Sequence, residues 1–241
     1  MSSDRFLGRV AAVTGTTTGI GRGIAAALEL EGARVFGLDL QAGGIGEHVE
    51  CDVSDAGSIA AAAESVLQLA DGRIDHFVAN AGIRGADTAA EDMTPDDFDA
   101  VLAVNLRGVF LSIQAFARPM LAAGSGSMVA IASMSGNRVV NVPQRTVNYN
   151  IAKAGVTAMA RTLAVEWGAR GVRVNTVSPG YVSTPFLEAD TGLHEQWLAQ
   201  TVPGRFATID EIAAGTLYLL SDDAAYCHGT DLLIDGGYSL R

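Results

Sequence analysis

The residues with the clearest chemical potential are Tyr149 and Lys153, which stand four positions apart in a stretch with a helical pattern. Residues four apart lie on one face of a helix, so the two side chains share that face. A buried phenol with a pKa of about 10 is a poor acid or base at neutral pH, and a nearby ammonium lowers that pKa. Such a pair can donate a proton to a carbonyl or take one from an alcohol, while Ser133 holds the oxygen. The alternatives are surface packing for the pair and a turn hydroxyl for Ser133.

A glycine-rich loop from Thr14 to Gly21 separates the first apolar strand from the first helical stretch. Glycines let the backbone turn tightly and approach a pyrophosphate, and the helix behind them offers free N–H groups. The loop lacks the Gly-Lys-Ser/Thr ending of a P-loop. We therefore predict a dinucleotide site at this loop, contacted by Gly15, Thr17, Gly19, Ile20 and Gly21.

The choice between the two nicotinamide dinucleotides depends on Asp39, at the end of the second predicted strand. A carboxylate there accepts hydrogen bonds from both ribose hydroxyls and repels a 2′-phosphate. Positions 16–18 and 40–46 contain no Arg or Lys. These features predict NAD(H) rather than NADP(H) as the cofactor. The alternative is that Asp39 only caps a turn.

Strand-length apolar runs alternate with helix-length segments along the chain. Strands are expected at 9–14, 33–39, 48–51, 74–79, 127–132, 172–177 and 232–234, and helices at 20–31, 54–71, 147–169, 209–220 and from 94 onward. Strands without polar alternation are buried on both faces, as in a parallel sheet covered by helices. The pattern predicts an α/β fold in which residues 1–241 form one Rossmann-type domain. The long irregular segment 183–203 is expected to be a lid over the substrate.

Composition argues against several classes of function. The net charge is −11 and Lys153 is the only lysine, so neither a nucleic acid nor a membrane surface is an expected partner. The four histidines show no metal-ligand spacing, and no metal site is expected. The apolar stretch 101–120 carries polar and charged residues, which argues against a transmembrane helix. Without a signal-peptide pattern, and with Cys51 and Cys227 expected to be reduced, a cytoplasmic location is expected.

Further segments make the chain resemble the short-chain dehydrogenase/reductase family. In chain order they are Asn80-Ala81-Gly82, Asn105, Ser133, Tyr149-Asn150-Ile151-Ala152-Lys153 and Pro179-Gly180-Tyr181-Val182-Ser183-Thr184. With the glycine-rich loop they span nearly the whole chain in the family's order. The resemblance implies a doubly wound sheet of about seven strands with helices on both faces, a homotetramer, and hydride transfer between a nicotinamide and a substrate carbon.

The resemblance also implies roles for individual residues. Asn105, Ser133, Tyr149 and Lys153 would be the catalytic set, with Asn105 in a proton relay through water to Lys153. Tyr149 and Lys153 would also contact the cofactor, and Asn80 would fix the neighbouring strand and the adenosine pocket. The remaining implied cofactor contacts are Asp52, Val53, Gly82, Pro179, Gly180, Val182 and Thr184. Alternatives stay open for two of these: Asp52 as a carboxylate before a helix, and Thr184 as a helix cap.

The substrate branch that the chain resembles interconverts sugar alcohols and ketoses, as sorbose reductases and the mannitol or galactitol dehydrogenases do. A polyol pocket needs hydrogen-bond partners for several hydroxyls. We expect these from Ser135, Asn141, Gln144, Asn150 and Tyr181, with Trp197 in the apolar wall. Each of these polar residues could equally be an ordinary loop residue that faces water, and Trp197 could be a core residue that anchors a short lid helix. The connection 41–50 departs from the branch, because it is short, glycine-rich and without room for a full helix.

Three functions compete at this point. The first is an NAD-dependent oxidoreductase of a polyol or hydroxy-ketone. The second is a reductase of 3-oxoacyl thioesters. The acidic net charge disfavours it, because a phosphopantetheine-carrying protein partner favours a basic approach surface, and Asp39 disfavours it, because NADPH would normally be the reductant. The third is a non-catalytic dinucleotide-sensing protein, which the complete set of proton-transfer residues disfavours because a sensor needs no proton donor.

Overall fold

The computed structural model describes residues 4–188 and 191–241. Within this part of the chain, seven parallel strands form one sheet in the order β3-β2-β1-β4-β5-β6-β7. The strands are Val10–Thr14 (β1), Arg34–Asp39 (β2), Glu47–Glu50 (β3), His76–Ala79 (β4), Gly126–Ile131 (β5), Val172–Pro179 (β6) and Asp231–Ile234 (β7). The predicted doubly wound parallel sheet is confirmed.

Helices cover both faces of the sheet. They are Gly19–Leu30 (α1), Ala56–Leu69 (α2), Pro95–Leu102 (α3), Val109–Ala123 (α4), Val147–Trp167 (α5), Pro185–Glu188 (α6), His194–Gln200 (α7) and Ile209–Leu220 (α8). Their starts follow local capping chemistry. Asp55 accepts a hydrogen bond from the Ser58 N–H before α2, and Thr208 forms a capping box with Glu211 before α8.

Successive strand residues enter two separate cores, one on each face of the sheet. Phe77 packs with α2, α4 and α5, whereas its neighbour Val78 packs with α1 and α8. Met128 and Val129 divide in the same way on β5. This alternation between two apolar layers explains why the strands lack the polar periodicity of a half-exposed sheet.

Helices α3 and α4 are continuous through a π-helical turn, Ala103–Gly108. By length and composition alone, the combined segment Pro95–Ala123 is long and apolar enough to cross a membrane. The polar residues within 101–120 therefore do not by themselves exclude a transmembrane helix. Its apolar side nevertheless packs in the core, where Ile113, Phe116 and Met120 are fully buried. This packing accounts for its hydropathy.

Two connections matter for the site. No helix lies between β2 and β3, as the short glycine-rich sequence predicts. The segment 183–203 is less irregular than expected, because α6 and α7 lie within it; Ala189 and Asp190 are outside the described residues.

Strand order reverses between β1 and β4, and in doubly wound sheets ligands bind at the carboxyl ends of the strands at such a point.

Candidate active site

One cleft opens at the carboxyl ends of the strands, with a volume of about 450 Å³. Its walls come from the loops after β1, β2, β3, β4, β5 and β6, together with α5, α6 and α7. Most residues predicted for cofactor, catalysis or substrate line it: Gly15, Thr17, Gly19, Ile20, Asp39, Asp52, Val53, Asn80, Gly82, Ser133, Ser135, Asn141, Gln144, Tyr149, Lys153, Pro179, Gly180, Tyr181, Val182, Thr184 and Trp197.

Gly21 and Asn150 were predicted contacts that do not line the cleft. A Cβ at Gly21 would lie 2.1 Å from the Gly15 carbonyl oxygen and 2.3 Å from Asn80 Nδ2, so Gly21 permits close packing rather than ligand contact. Asn150 follows Tyr149 by one helical position and therefore points to another side of α5. The structure therefore does not place Asn150 among the residues that line the cleft.

Asn105 also lies behind the cleft wall rather than on it. It is 0% exposed in the π-helical turn. Its Oδ1 accepts a hydrogen bond from the Ile83 N–H at 2.8 Å, and its Nδ2 donates to the Ile83 carbonyl at 2.7 Å. The side-chain amide therefore holds the loop after β4 and has both of its atoms engaged. The relay through water from Asn105 to Lys153 stays a prediction.

Tyr149, Ser133 and Lys153 come together on one wall of the cleft. The Lys153 Nζ lies 5.8 Å from the centroid of the Tyr149 ring and donates a hydrogen bond to the Ile131 carbonyl at 2.8 Å. Tyr149 has a side-chain hydrogen bond with Ser133. Ser133 Oγ also accepts from the Ser135 N–H at 3.1 Å. Ser133 is thus the serine that interacts with the phenol.

The electrostatics differ from the simple expectation. Burial raises the pKa of Tyr149, and the hydrogen bond with Ser133 lowers it by less. Burial also lowers the pKa of the Lys153 ammonium from 10.5 to about 8. We expected Lys153 to lower the pKa of Tyr149, but desolvation has the larger effect on this pKa in the polypeptide alone and its net direction is upward.

The other end of the cleft has the shape of a phosphate cradle. Gly15 and Gly19 adopt φ values of +74° and +58°, which favour glycine. Thr18, the N-cap of α1, makes no side-chain capping bond within the described chain, so first-turn N–H groups of α1 stay available. A Cβ at Gly19 would lie 3.7 Å from the Thr184 methyl group, so the two residues approach each other across the cleft. These features fit a pyrophosphate.

Asn80 joins the two strands on either side of the switch point. Its Nδ2 donates to the Thr14 and Gly15 carbonyls at 3.0 and 3.2 Å, and its backbone N–H donates to Thr14 Oγ1 at 2.9 Å. Asp52, farther along this side, accepts from the Ser54 N–H and hydroxyl, which lower the pKa of its carboxyl. Both residues order the part of the cleft where the adenosine is predicted to bind.

The cleft also includes residues that sequence reasoning missed. Arg84, Asp87, Thr146, Phe186 and Leu187 line it. They lie in loops or the short α6, where no periodicity marks a buried face. The only available signal was position, since Arg84 and Asp87 follow the Asn80-Ala81-Gly82 segment closely.

The family model described as enoyl-(acyl carrier protein) reductase matches residues 15–239. The chain is also 42% identical to D-threitol dehydrogenase of Mycolicibacterium smegmatis, over 98% of this chain and 95% of that protein. The chain belongs to the short-chain dehydrogenase/reductase family.

Two other short-chain dehydrogenases/reductases show the breadth of the match. Sorbose reductase of Schizosaccharomyces pombe is 35% identical, over 97% of both chains. A solved structure of a candidate 2-deoxy-D-gluconate 3-dehydrogenase from Agrobacterium tumefaciens, with bound NADP, superposes with a TM-score of 0.88 at 34% identity and covers all of both chains. The predicted resemblance to the polyol dehydrogenase and sorbose reductase branch is confirmed.

Family membership and these relatives define the general activity. The protein is a dinucleotide-dependent oxidoreductase that acts on CH–OH groups and interconverts a secondary alcohol and its ketone. A non-catalytic sensor is not supported. The choice between NAD and NADP, and the particular alcohol, depend on the residues that line this chain's own cleft.

Proposed function

We propose that this protein interconverts a polyol and the corresponding hydroxy-ketone with NAD(H), using Tyr149 as the acid and base. The observation that carries the proposal is the contact of the Tyr149 phenol with Ser133, beside the buried Lys153, in a cleft whose far end holds Asp39. The relatives named above, which act on D-threitol and sorbose, support a polyhydroxylated substrate.

Each residue of the reacting wall has a separate task. The Ser133 hydroxyl holds the substrate oxygen, and Tyr149 gives it a proton during ketone reduction or removes one during alcohol oxidation. Lys153 supplies positive charge near the phenol and can hold ribose hydroxyls of the nicotinamide nucleoside. Asn105 fixes the loop that follows β4 through both of its bonds to Ile83. Hydride exchange is the chemistry that the bound nicotinamide supplies.

The remaining cofactor contacts form a continuous path along the cleft. The glycine-rich loop would hold the pyrophosphate, Asp52 and Val53 the adenine, and Val182 and Thr184 the carboxamide. The path also includes Asn80, Gly82, Pro179 and Gly180. Asp39 supports NAD over NADP, because its carboxylate would accept ribose hydroxyls and repel a 2′-phosphate.

The substrate half of the cleft carries both polar and aromatic groups. Ser135, Asn141 and Gln144 come from the loop between β5 and α5, and Tyr181 and Trp197 come from the other wall. The segment 183–203 acts as the lid, with α7 anchored by Trp197, which stacks on Tyr181 at 4.2 Å between ring centroids. Such a mixed lining suits a polyol better than a hydrophobic ketone.

The assembly and location are part of the same proposal. Helices α4 and α5 expose Phe110, Ile151 and Val165, and this apolar surface supports association into a homotetramer. We place the enzyme in the cytoplasm. Light scattering of the purified protein tests the tetramer, and a monomer at micromolar concentration would contradict it.

A second candidate is reduction of 3-oxoacyl thioesters. The description of the matching family model names an acyl-carrier-protein substrate of the same thioester class, although its reaction is at an enoyl group and not at a 3-oxo group. A panel of polyols with NAD⁺ and NADP⁺, and acetoacetyl thioester with NADH and NADPH, distinguishes the two. We expect polyol oxidation with NAD⁺. Faster reduction of the thioester, or faster turnover with the phosphorylated cofactor, would refute the corresponding part of the proposal.

A further inference from the structure

We propose that Trp197 and Gln144 form a subsite for a second hydroxyl of the substrate, apart from the oxygen held at Ser133 and Tyr149. The inference rests on the proposed function, since it assigns a recognition role within the same cleft. It predicts that the enzyme selects for a hydroxyl at this place over a methyl, keto or carboxylate group.

The donor of this subsite is the indole of Trp197. The side chain is 0% exposed and lines the cleft. Within residues 4–188 and 191–241, its Nε1 has no hydrogen-bond partner. An indole N–H can only donate, and a buried donor without an acceptor is unfavourable. A substrate oxygen in the cleft would satisfy it.

The acceptor comes from the loop between β5 and α5. Gln144 Oε1 and, three positions before it in the sequence, Asn141 Oδ1 are buried and likewise have no donor among the described residues. Both residues line the cleft. Helix α7 faces this loop, since Gln196 Nε2 donates to the Val142 carbonyl at 3.5 Å. The indole donor and the amide acceptors therefore belong to facing walls.

A hydroxyl is the group that matches this combination. It can accept a hydrogen bond from Trp197 and donate one to Gln144 at the same time. A carbonyl or carboxylate oxygen can only accept, so it would leave Gln144 Oε1 without a donor. A methyl would leave both Trp197 Nε1 and Gln144 Oε1 without a partner. A purely structural role for Trp197 accounts for the stacking on Tyr181 but not for the unpartnered N–H.

The test compares two substrates in three variants. Trp197→Phe keeps an aromatic ring against Tyr181 and removes the N–H, and Gln144→Met keeps the length and removes the acceptor. Trp167→Phe is the matched control, because Trp167 is the other tryptophan of the chain and lies at the end of α5, outside the cleft lining. The substrates are butan-2-ol and whichever of threitol, xylitol and sorbitol the wild type oxidises best.

We expect the ratio of kcat/KM for the polyol to that for butan-2-ol to fall at least about tenfold in Trp197→Phe and in Gln144→Met. Trp167→Phe should leave it within about twofold. An unchanged ratio, or an equal loss for both substrates, overturns the subsite alone. If Trp197→Phe does not fold, the kcat/KM ratio of Gln144→Met alone decides whether the subsite exists. Absence of turnover of every alcohol by the wild type would instead overturn the proposed function, and the subsite with it.

Discussion

Asp39 holds Thr17 at two points. Its Oδ2 accepts hydrogen bonds from the Thr17 N–H at 3.0 Å and from the Thr17 hydroxyl at 2.6 Å. The end of β2 is thereby tied to the glycine-rich loop after β1, and the carboxylate stands in the cleft at a defined place. The same residue thus orders the glycine-rich loop and, in the proposed function, sets the charge that a ribose 2′-substituent would meet.

Asp39→Ser should change the cofactor preference. Removing the carboxylate removes its repulsion of a 2′-phosphate, worth on the order of 1–3 kcal/mol at a partly exposed position. The ratio of kcat/KM for NADH to that for NADPH should fall roughly 10- to 100-fold. Thr17→Val is the control, because it loses the hydroxyl bond and keeps the charge. An equal change of the ratio in both variants would assign the effect to loop order instead.

Tyr149→Phe should lower kcat by roughly 10²- to 10⁴-fold, the contribution of a positioned general acid or base. Affinity for NADH should change little, since the ring remains. Steady-state rates and NADH fluorescence titration measure the two quantities. The fully exposed Tyr226 provides the control, and Tyr226→Phe should behave as wild type. Substantial activity in Tyr149→Phe would remove the phenol from the mechanism.

The pH dependence of alcohol oxidation should report the pKa of Tyr149. Oxidation needs the deprotonated phenol, and burial raises the pKa of Tyr149 while the bond with Ser133 lowers it. The rate of oxidation should therefore rise with pH. Ser133→Ala should move this rise to higher pH in addition to lowering kcat. A profile that keeps its midpoint in Ser133→Ala contradicts the coupling between the two hydroxyls.

His76 should make the fold sensitive to acid. Burial lowers the pKa of this histidine from 6.5 to about 4; Arg9 and Arg173 act in the same direction and Asp75 opposes them. The unfolded chain takes up this proton below about pH 6.5 and the folded one only near pH 4, so stability is lost as the pH falls through this window. The loss between pH 7 and pH 5 is about 2 kcal/mol.

Urea unfolding at pH 7 and pH 5 measures this contribution. His76→Leu, which keeps an apolar group next to Phe6, should be less acid-sensitive than wild type by about that amount. His48→Gln changes an exposed histidine on β3 and should keep the wild-type difference. Equal acid sensitivity in wild type and His76→Leu would show that other groups cause the loss.

Much of the protein was predictable from local patterns. The order of strands and helices follows from apolar runs, caps and glycines, which depend on residues close in the sequence. The glycine-rich loop, Asp39, Ser133 and the Tyr149–Lys153 spacing each follow or begin an element, so their meeting at one edge of a parallel sheet follows from topology. The position of Asn150 outside the cleft lining was predictable in the same way, since helical spacing alone already separates it from Tyr149.

What the sequence by itself determined is the fold, the family and the residues that meet at the strand ends, because these depend on periodicity and on motif order. Only the tertiary structure decided burial and pairing between distant segments. The engagement of Asn105 with Ile83, the raised pKa of Tyr149 and the unpartnered Nε1 of Trp197 are of this kind. Desolvation and hydrogen-bond satisfaction arise from all surrounding groups together, and no local pattern encodes them.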